Sequence, residues 1–289
     1  MSHLLCFGLG FSARILAARL AAKGWTISAT SRSERGASAI RASGYNAFVF
    51  DGTKPLEEEA LDGVTHVVVS APPGDDGDPV LRLNSGDFAA RARQFQWVAY
   101  LSTTGVYGDH DGGLVTEATP LTPNTERGQK RLLAETQWFD LWRSNGLPVH
   151  VFRLAGIYGP GRNQLLSLLD GTAKRVIKQG QVFSRIHVED IANVLEASIT
   201  HPAPGTAYNV CDDEASPPQD VMEFGAKLLG LPVPPPIPFE QAELSPMARS
   251  FYADSKRVSN TRIKQDLGVK LSFPTYRDGL SSIAKDLRR

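Results

Sequence analysis

The sequence predicts an α/β protein: a doubly wound parallel sheet followed by a smaller, mixed α/β C-terminal region. Three observations carry that prediction. Short apolar runs alternate with helix-length segments through the first half of the chain, which is the pattern of strands joined by crossover helices. One of those runs, residues 64–70, is dominated by valine, as expected of a strand covered on both faces. Between the first run and an alanine-rich segment stands Phe7-Gly8-Leu9-Gly10-Phe11-Ser12-Ala13-Arg14, a G-x-G-x-x-A turn in strand-to-helix context.

The elements follow in order. Residues 4–7 form the first strand, and 13–23 an amphipathic helix that Gly24 ends. Residues 26–30 are the second strand, and 34–43 a helix stopped by Gly44. The third strand, 47–50, runs into Asp51-Gly52, and 64–70 is the fourth. A polar loop at 72–78 precedes a helix at 79–93. The fifth strand, 97–101, enters Ser102-Thr103-Thr104, and a glycine-rich loop leads to a long helix at 126–144 and a strand at 149–154. Beyond it, 163–170, 188–200 and 219–229 read as helices, with short strands at 182–186 and 207–210. Residues 232–238 hold five prolines in seven positions, which reads as a surface connector because proline has no N–H to give a ladder. The expected division is a nucleotide-binding domain over 1–155 and, over 156–289, a cap from which the chain returns to the first domain.

Bulk properties narrow the classes of function. The 289 residues are 42% hydrophobic and 21% charged, ordinary for a globular protein. Lys+Arg and Asp+Glu balance at 31 each, so no global field favours nucleic acid or a membrane surface. Cys6 and Cys211 cannot build a disulfide framework and read as buried thiols of a reducing compartment. The apolar start lacks a basic leader and is interrupted by glycines, and no uncharged apolar run reaches a membrane span. The expected location is the cytoplasm. Scattered histidines without i, i+4 pairing give no metal site.

The glycine turn specifies a ligand. Gly8 permits the tight turn, Gly10 leaves room for a pyrophosphate, and Ala13 lets helix and strand pack closely. The N–H groups of Phe11, Ser12 and Ala13 then face an anion. This is the signature of a Rossmann dinucleotide-binding domain. An acidic residue at the end of the second strand would hold the ribose hydroxyls of NAD. Here Thr30-Ser31-Arg32-Ser33-Glu34-Arg35 puts small hydroxyls and Arg32 there, and a guanidinium suits the 2′-phosphate of NADP. NADP is therefore favoured over NAD, the alternative for Arg32 and Arg35 being a solvated helix start. Asp51 either meets the adenine edge or caps the next segment. Ser70, Ala71 and Ser102 complete the expected cofactor rim.

Further stretches resemble a known family. Ser102-Thr103-Thr104-Gly105-Val106-Tyr107-Gly108, the loop from Phe152 to Arg162 with Tyr158-Gly159-Pro160, Arg185-Ile186-His187-Val188-Glu189-Asp190, and Tyr208-Asn209-Val210 occur in the order found in extended short-chain dehydrogenases, the NAD(P)-dependent sugar epimerase/dehydratase group. The short glycine turn is similar to that of an atypical branch. The resemblance implies a nicotinamide cofactor, a hydroxyl at Thr103, and a Tyr-x-x-x-Lys pair for proton exchange. The matching helix start reads Arg127-Gly128-Gln129-Lys130-Arg131, with Glu135 in register. Tyrosine thus becomes Arg127 and lysine becomes Arg131; a one-residue shift gives Lys130 but puts Glu126 on the tyrosine.

Arginine does not cycle a proton near neutrality, yet it holds carboxylates and phosphates. Arg131 remains a candidate for the ribose or a cofactor phosphate. Tyr107, Tyr158, Asp109 and His110 are substitute proton donors, each also readable as structural, as is His187. Arg153, Arg162 and Arg185 suit an anionic substrate if they reach it. The expectation is an NADP(H)-dependent oxidoreductase or epimerase-like enzyme for a small polar or nucleotide-linked substrate; the alternative is a non-catalytic NADP(H)-binding sensor or partner-binding protein. The family pairs through two helices, here 79–93 and 126–144, so a homodimer is expected, with Trp138, Phe139 and Trp142 serving either that contact or the core.

Overall fold

The computed structural model describes residues 2–287. Its elements are β1 His3–Phe7, α1 Phe11–Ala22, β2 Thr26–Ser31, α2 Glu34–Ala42, β3 Asn46–Val49, β4 His66–Val69, α3 Pro79–Ala90 and β5 Trp97–Thr103. Then come β6 Leu114–Val115, α4 Glu126–Asn145, β7 Val149–Leu154, β8 Gly156–Tyr158, α5 Gln164–Leu169, β9 Arg175–Ile177, β10 Arg185–His187 and α6 Val188–Thr200. The rest are β11 Thr206–Val210, α7 Pro218–Leu229, β12 Pro236–Pro238, α8 Pro246–Phe251, β13 Arg257–Val258, α9 Thr261–Asp266 and α10 Tyr276–Leu287.

Seven strands form one sheet in the order β11-β7-β5-β4-β1-β2-β3. The run β3-β2-β1-β4-β5 is parallel throughout, so the predicted α/β doubly wound class holds. Leu5 and Phe7, Val67 and Val69, Val98 and Tyr100, Val149 and Val151 repeat at spacing two and enter one core with Val80, Phe88 and Trp138 of α3 and α4. Their neighbours Leu4, Cys6, Val68, Ala99 and Phe152 are equally buried. Both faces are covered, which is why these strands read as continuous apolar runs.

The chain divides into two compact units. The first comprises the residues up to Thr103, Gln129–Arg153 and Val194–Tyr208. The second comprises Thr104–Gly128, Leu154–Asn193 and the chain from Asn209. In the first, Asp78 caps α3 by accepting from Val80 N–H (2.7 Å) and also takes Trp138 Nε1 (3.0 Å), so it links α3 to α4. Trp138 is fully buried, and Phe139 and Trp142 pack on the same core. All three therefore serve the interior of this unit. In the second unit, α5, α7 and α10 enclose a separate core of Tyr158, Leu165, Val221, Tyr276, Leu280 and Ile283.

Most element boundaries fall one to three residues from the sequence reading, and three differences have a plain physical cause. β5 extends through Ser102 and Thr103, because these residues continue the strand to its C-terminal edge. The strand expected at 182–186 is β10, shifted to Arg185–His187 by its parallel pairing with β8. The proline-rich stretch is not all connector. Pro236–Pro238 pairs in parallel with β9; only alternate residues of a strand bond a given neighbour, so Ile237 supplies the N–H and the flanking prolines sit where none is needed.

Candidate functional site

The first unit gathers the C-terminal ends of β1, β2 and β4 around the glycine turn. Gly8 has φ +86°, and a Cβ there would lie 3.0 Å from Ser70 Oγ, so no side chain fits without strain. Its N–H donates to Thr30 Oγ1 (3.0 Å), while Ser70 Oγ donates to Gly8 O (2.8 Å) and Phe7 O (3.2 Å). Thr30 and Ser70 thus fix the turn from either side. Ala71 follows Ser70 at half burial.

Gly10 caps α1 with no side-chain acceptor, and no acidic residue stands in the helix's first turn. Ser12 and Ala13 are buried while Gly10 is exposed. The nearest atom to a Cβ built on Gly10 is Ser70 Oγ, at 3.9 Å. The positive end of α1 therefore opens onto free space with no carboxylate competing for it, and this donor set fits an anionic diphosphate.

At the end of β2, Ser33 caps α2 by accepting from Gly36 N–H (3.3 Å). Gly36 packs closely on Ser31: a Cβ there would come within 2.0 Å of Ser31 Oγ, which would have to turn away. Glu34, the one carboxylate between residues 31 and 50, pairs with Arg41 at 2.5 Å. The Arg41 guanidinium holds the Glu34 carboxyl below the usual carboxylate range. Arg32 and Arg35 are exposed and have no ion pair among the described residues. Asp51 is exposed, and one carboxylate oxygen accepts from both the N–H (2.8 Å) and the hydroxyl (2.7 Å) of Thr53, closing an Asx turn.

The end of β5 is tied to α4. Arg131 Nη1 donates to Leu101 O (2.7 Å) and to the Tyr100 hydroxyl (3.0 Å). One turn on, Glu135 accepts from Ser102 Oγ (2.5 Å) and from Arg153 of β7 through Nε (3.2 Å) and Nη2 (2.9 Å). Ser102, Glu135 and Arg153 are all at least 95% buried. Arg153, expected to face substrate, instead neutralises a carboxylate inside the first unit. Thr103 closes β5 at half burial.

The remaining candidates lie in the second unit. Arg127 is exposed, with its guanidinium 5.6 Å from the centroid of the Phe251 ring. Next to it, Gly128 abuts Gly105 O and Pro123, either of which a Cβ would meet at 2.8 Å. Tyr107 is fully buried and donates to Asn209 Oδ1 (2.7 Å). Tyr158 donates to Thr275 O (3.3 Å), and burial pushes its phenol well above the ordinary range. His187 packs between Tyr158 and Phe273, and burial lowers its basicity. Asp109 accepts from Ser255 N–H (2.7 Å), and a ring nitrogen of His110 meets Tyr107 O (3.1 Å). Arg185 is buried and donates to Phe183 O and to Ser216, so it too is internal; Arg162 is exposed. The structure thus brings Gly8, Gly10, Ser12, Ala13 and Ser70 into one cradle and gives the two substitute phenols internal partners.

Sequence reasoning placed Thr30 at the end of the second strand without its bond to Gly8, passed over Gly36, and treated Glu135 only as a register mark. Arg153 within the mostly apolar strand β7 was the available signal, because a buried cation demands a counter-charge. Among the described residues no helix is long and apolar enough to cross a membrane, and no three His, Cys, Asp or Glu cluster as a metal site requires.

Comparison with known proteins gives the same fold and a family model that matches part of the chain. A solved structure of a functionally unknown conserved protein from Silicibacter pomeroyi DSS is 54% identical over the whole of both chains, with a TM-score of 0.92. Protein YeeZ of Escherichia coli K12 is 29% identical over 288 residues, covering 95% of this chain and 97% of its own. The dTDP-glucose 4,6-dehydratase of Bacillus anthracis, solved in complex with NAD, shares the fold at 18% identity, over 99% of this chain and 96% of its own, with a TM-score of 0.78. Residues 88–211 match the model of the NAD dependent epimerase/dehydratase family. With the Rossmann sheet and glycine turn already in place, this chain has the fold of the NAD-dependent sugar epimerases and dehydratases, and its central segment, residues 88–211, is similar to their family model.

Proposed function

We propose that this chain binds NADP(H) and acts as an oxidoreductase or epimerase-like enzyme on a small polar or nucleotide-linked, anionic substrate. The observation that carries the dinucleotide reading is the uncapped start of α1 above Gly10, open in front and free of acidic residues. Gly8, Gly10, Phe11, Ser12 and Ala13 hold the diphosphate, with Ser31, Ser70, Ala71 and Asp51 around them. The choice of NADP over NAD rests on Arg32 and Arg35, because the only nearby carboxylate is already engaged by Arg41. Residues 1–155 carry this dinucleotide function and 156–289 mainly the substrate.

A bound nicotinamide supplies hydride transfer. Thr103 brings a hydroxyl to the end of β5. Arg127 stays protonated, so it orients a carboxylate or phosphate and does not exchange a proton. Arg131 steadies β5 through Leu101 and Tyr100. In the second unit a groove of about 480 Å³ is lined by Lys178, Arg257, Gln181 and Gln219. Gln181 Oε1 and Gln219 Oε1 are buried there without partners among the described residues. Two cations and two acceptors suit an anionic molecule that also bears hydroxyl or amide donors.

Thermal-shift titration tests the cofactor assignment, because a ligand stabilises by RT ln(1 + [L]/Kd). NADPH is expected to bind at least about tenfold more tightly than NADH, the scale of one charge-assisted hydrogen bond. Arg32→Ala is expected to erase most of that difference. Equal affinity of the wild-type chain for both dinucleotides overturns the phosphate assignment.

A second reading, a non-catalytic NADP(H)-binding sensor or partner-binding protein, is favoured by one observation: no phenol stands at 127, and those of Tyr107 and Tyr158 are buried and engaged. Oxidation of NADPH across a panel of carbonyl and nucleotide-sugar substrates separates the two. For the enzyme reading, turnover is expected from the wild-type chain and its loss from Arg127→Tyr. Turnover that appears only in Arg127→Tyr indicates a disabled site and supports the sensor.

A further inference from the structure

Ser102 and Thr103 offer adjacent hydroxyls at the C-terminal end of a central parallel strand, where ligands of such sheets bind. Successive strand residues point to opposite faces. Ser102 points to the α4 side, where its Oγ donates to Glu135 (2.5 Å). Glu135 is 1% exposed and is held in turn by Arg153 of β7, itself 4% exposed. Arg131, one turn earlier on the same helix face, reaches Leu101 O (2.7 Å). Three consecutive residues of β5, from Tyr100 to Ser102, are therefore bonded to two helix residues four apart.

A buried ion pair is a poor means of adding stability, since apolar side chains of equal volume hold a helix on a sheet as well or better. Its distinct property is direction: the hydrogen bonds of the carboxylate are satisfied in one register only. We propose that Glu135 is a positioning residue. Acting through Ser102, it sets the register of the end of β5 against α4 and thereby aims Thr103 away from the helix, toward the dinucleotide. Glu135 consequently decides which of the two neighbouring hydroxyls serves the site. This role rests on the dinucleotide reading above.

The test compares Ser102→Thr with Ser102→Val, which match in shape and differ by one hydroxyl, alongside Glu135→Gln. NADPH affinity is measured by fluorescence titration well below the melting temperature of each variant. Ser102→Thr is expected to keep the wild-type Kd, and Ser102→Val to raise it by about three- to tenfold, the equivalent of one hydrogen bond. Glu135→Gln, which leaves the Ser102 hydroxyl in place, is expected to shift the Kd in the same direction. If Ser102→Val and Glu135→Gln melt earlier yet bind NADPH as the wild type does, the network is structural only and the proposal fails. If Ser102→Val weakens binding while Glu135→Gln does not, Ser102 acts directly and the positioning role is overturned. A wild-type chain that binds neither NADPH nor NADH refutes the dinucleotide reading, and this role with it.

Discussion

Glu135→Ala is expected to destabilise the protein by about 3–5 kcal/mol, the usual result of removing one partner from a buried charge pair. Arg153 lies mid-sheet at 4% exposure, and Glu135 receives both its Nε and its Nη2. Without the carboxylate, a guanidinium is left in the apolar interior with its counter-charge gone, and Ser102 loses its acceptor. Water cannot easily replace the missing atoms, because Tyr100, Phe152 and Trp138 in the surrounding unit are fully buried. Urea denaturation followed by tryptophan fluorescence checks this: the midpoint is expected to fall with the slope m unchanged. A loss below about 1 kcal/mol, the level of a surface ion pair, shows that Arg153 reaches solvent and that the pair is not internal.

The architecture was legible because the physics that selects it is local and repetitive. Residues 64–70 read as a doubly covered strand, and β4 at His66–Val69 is buried on both sides. Residues 188–200 and 149–154 are the observed bounds of α6 and β7. Errors fell where a partner distant in sequence decides the outcome. Nothing within 182–186 states that β8 will pair with residues 185–187, and nothing in a proline-rich stretch states that β9 will accept its one isoleucine.

The candidate site was legible to a similar depth. Gly8 announced itself because its turn, at φ +86°, strains any other residue, and Gly10 because a diphosphate that passes over it leaves no room for a side chain. The side chains around them did not, since a hydroxyl in a sequence carries no mark of its partner. Thr30 turns to Gly8, Ser102 to Glu135, and Tyr107 to Asn209, over separations of 22, 33 and 102 residues. Arg131 illustrates the same limit. Its position on α4 suggested the cofactor, yet it reaches the Leu101 carbonyl from the helix face that also carries Glu135. A side chain that the sequence offers to a ligand can also bond the backbone beside it, and the sequence carries no mark of that second partner.

Gly10→Val separates binding from folding in the cradle itself. Gly10 has φ −79° and ψ −169°, extended backbone that valine adopts readily. A Cβ there meets only Ser70 Oγ, at 3.9 Å, so the first side-chain atom has room, and the melting temperature is expected to fall only by the modest cost of valine at a helix N-cap. The same Cβ projects into the open space before α1, where a diphosphate approaches the backbone. NADPH and NADH binding are therefore both expected to weaken at least about tenfold, or 1.4 kcal/mol. Gly8→Val is the contrast. At φ +86°, with Ser70 Oγ 3.0 Å from its Cβ, valine strains the turn whether or not a ligand is present, so stability falls as well. Calorimetric titration with either dinucleotide, paired with thermal melts, resolves the two cases. A Gly10→Val protein that folds normally and keeps its affinity shows that the diphosphate does not pass over this turn, and it removes the support for the dinucleotide reading of the whole first unit.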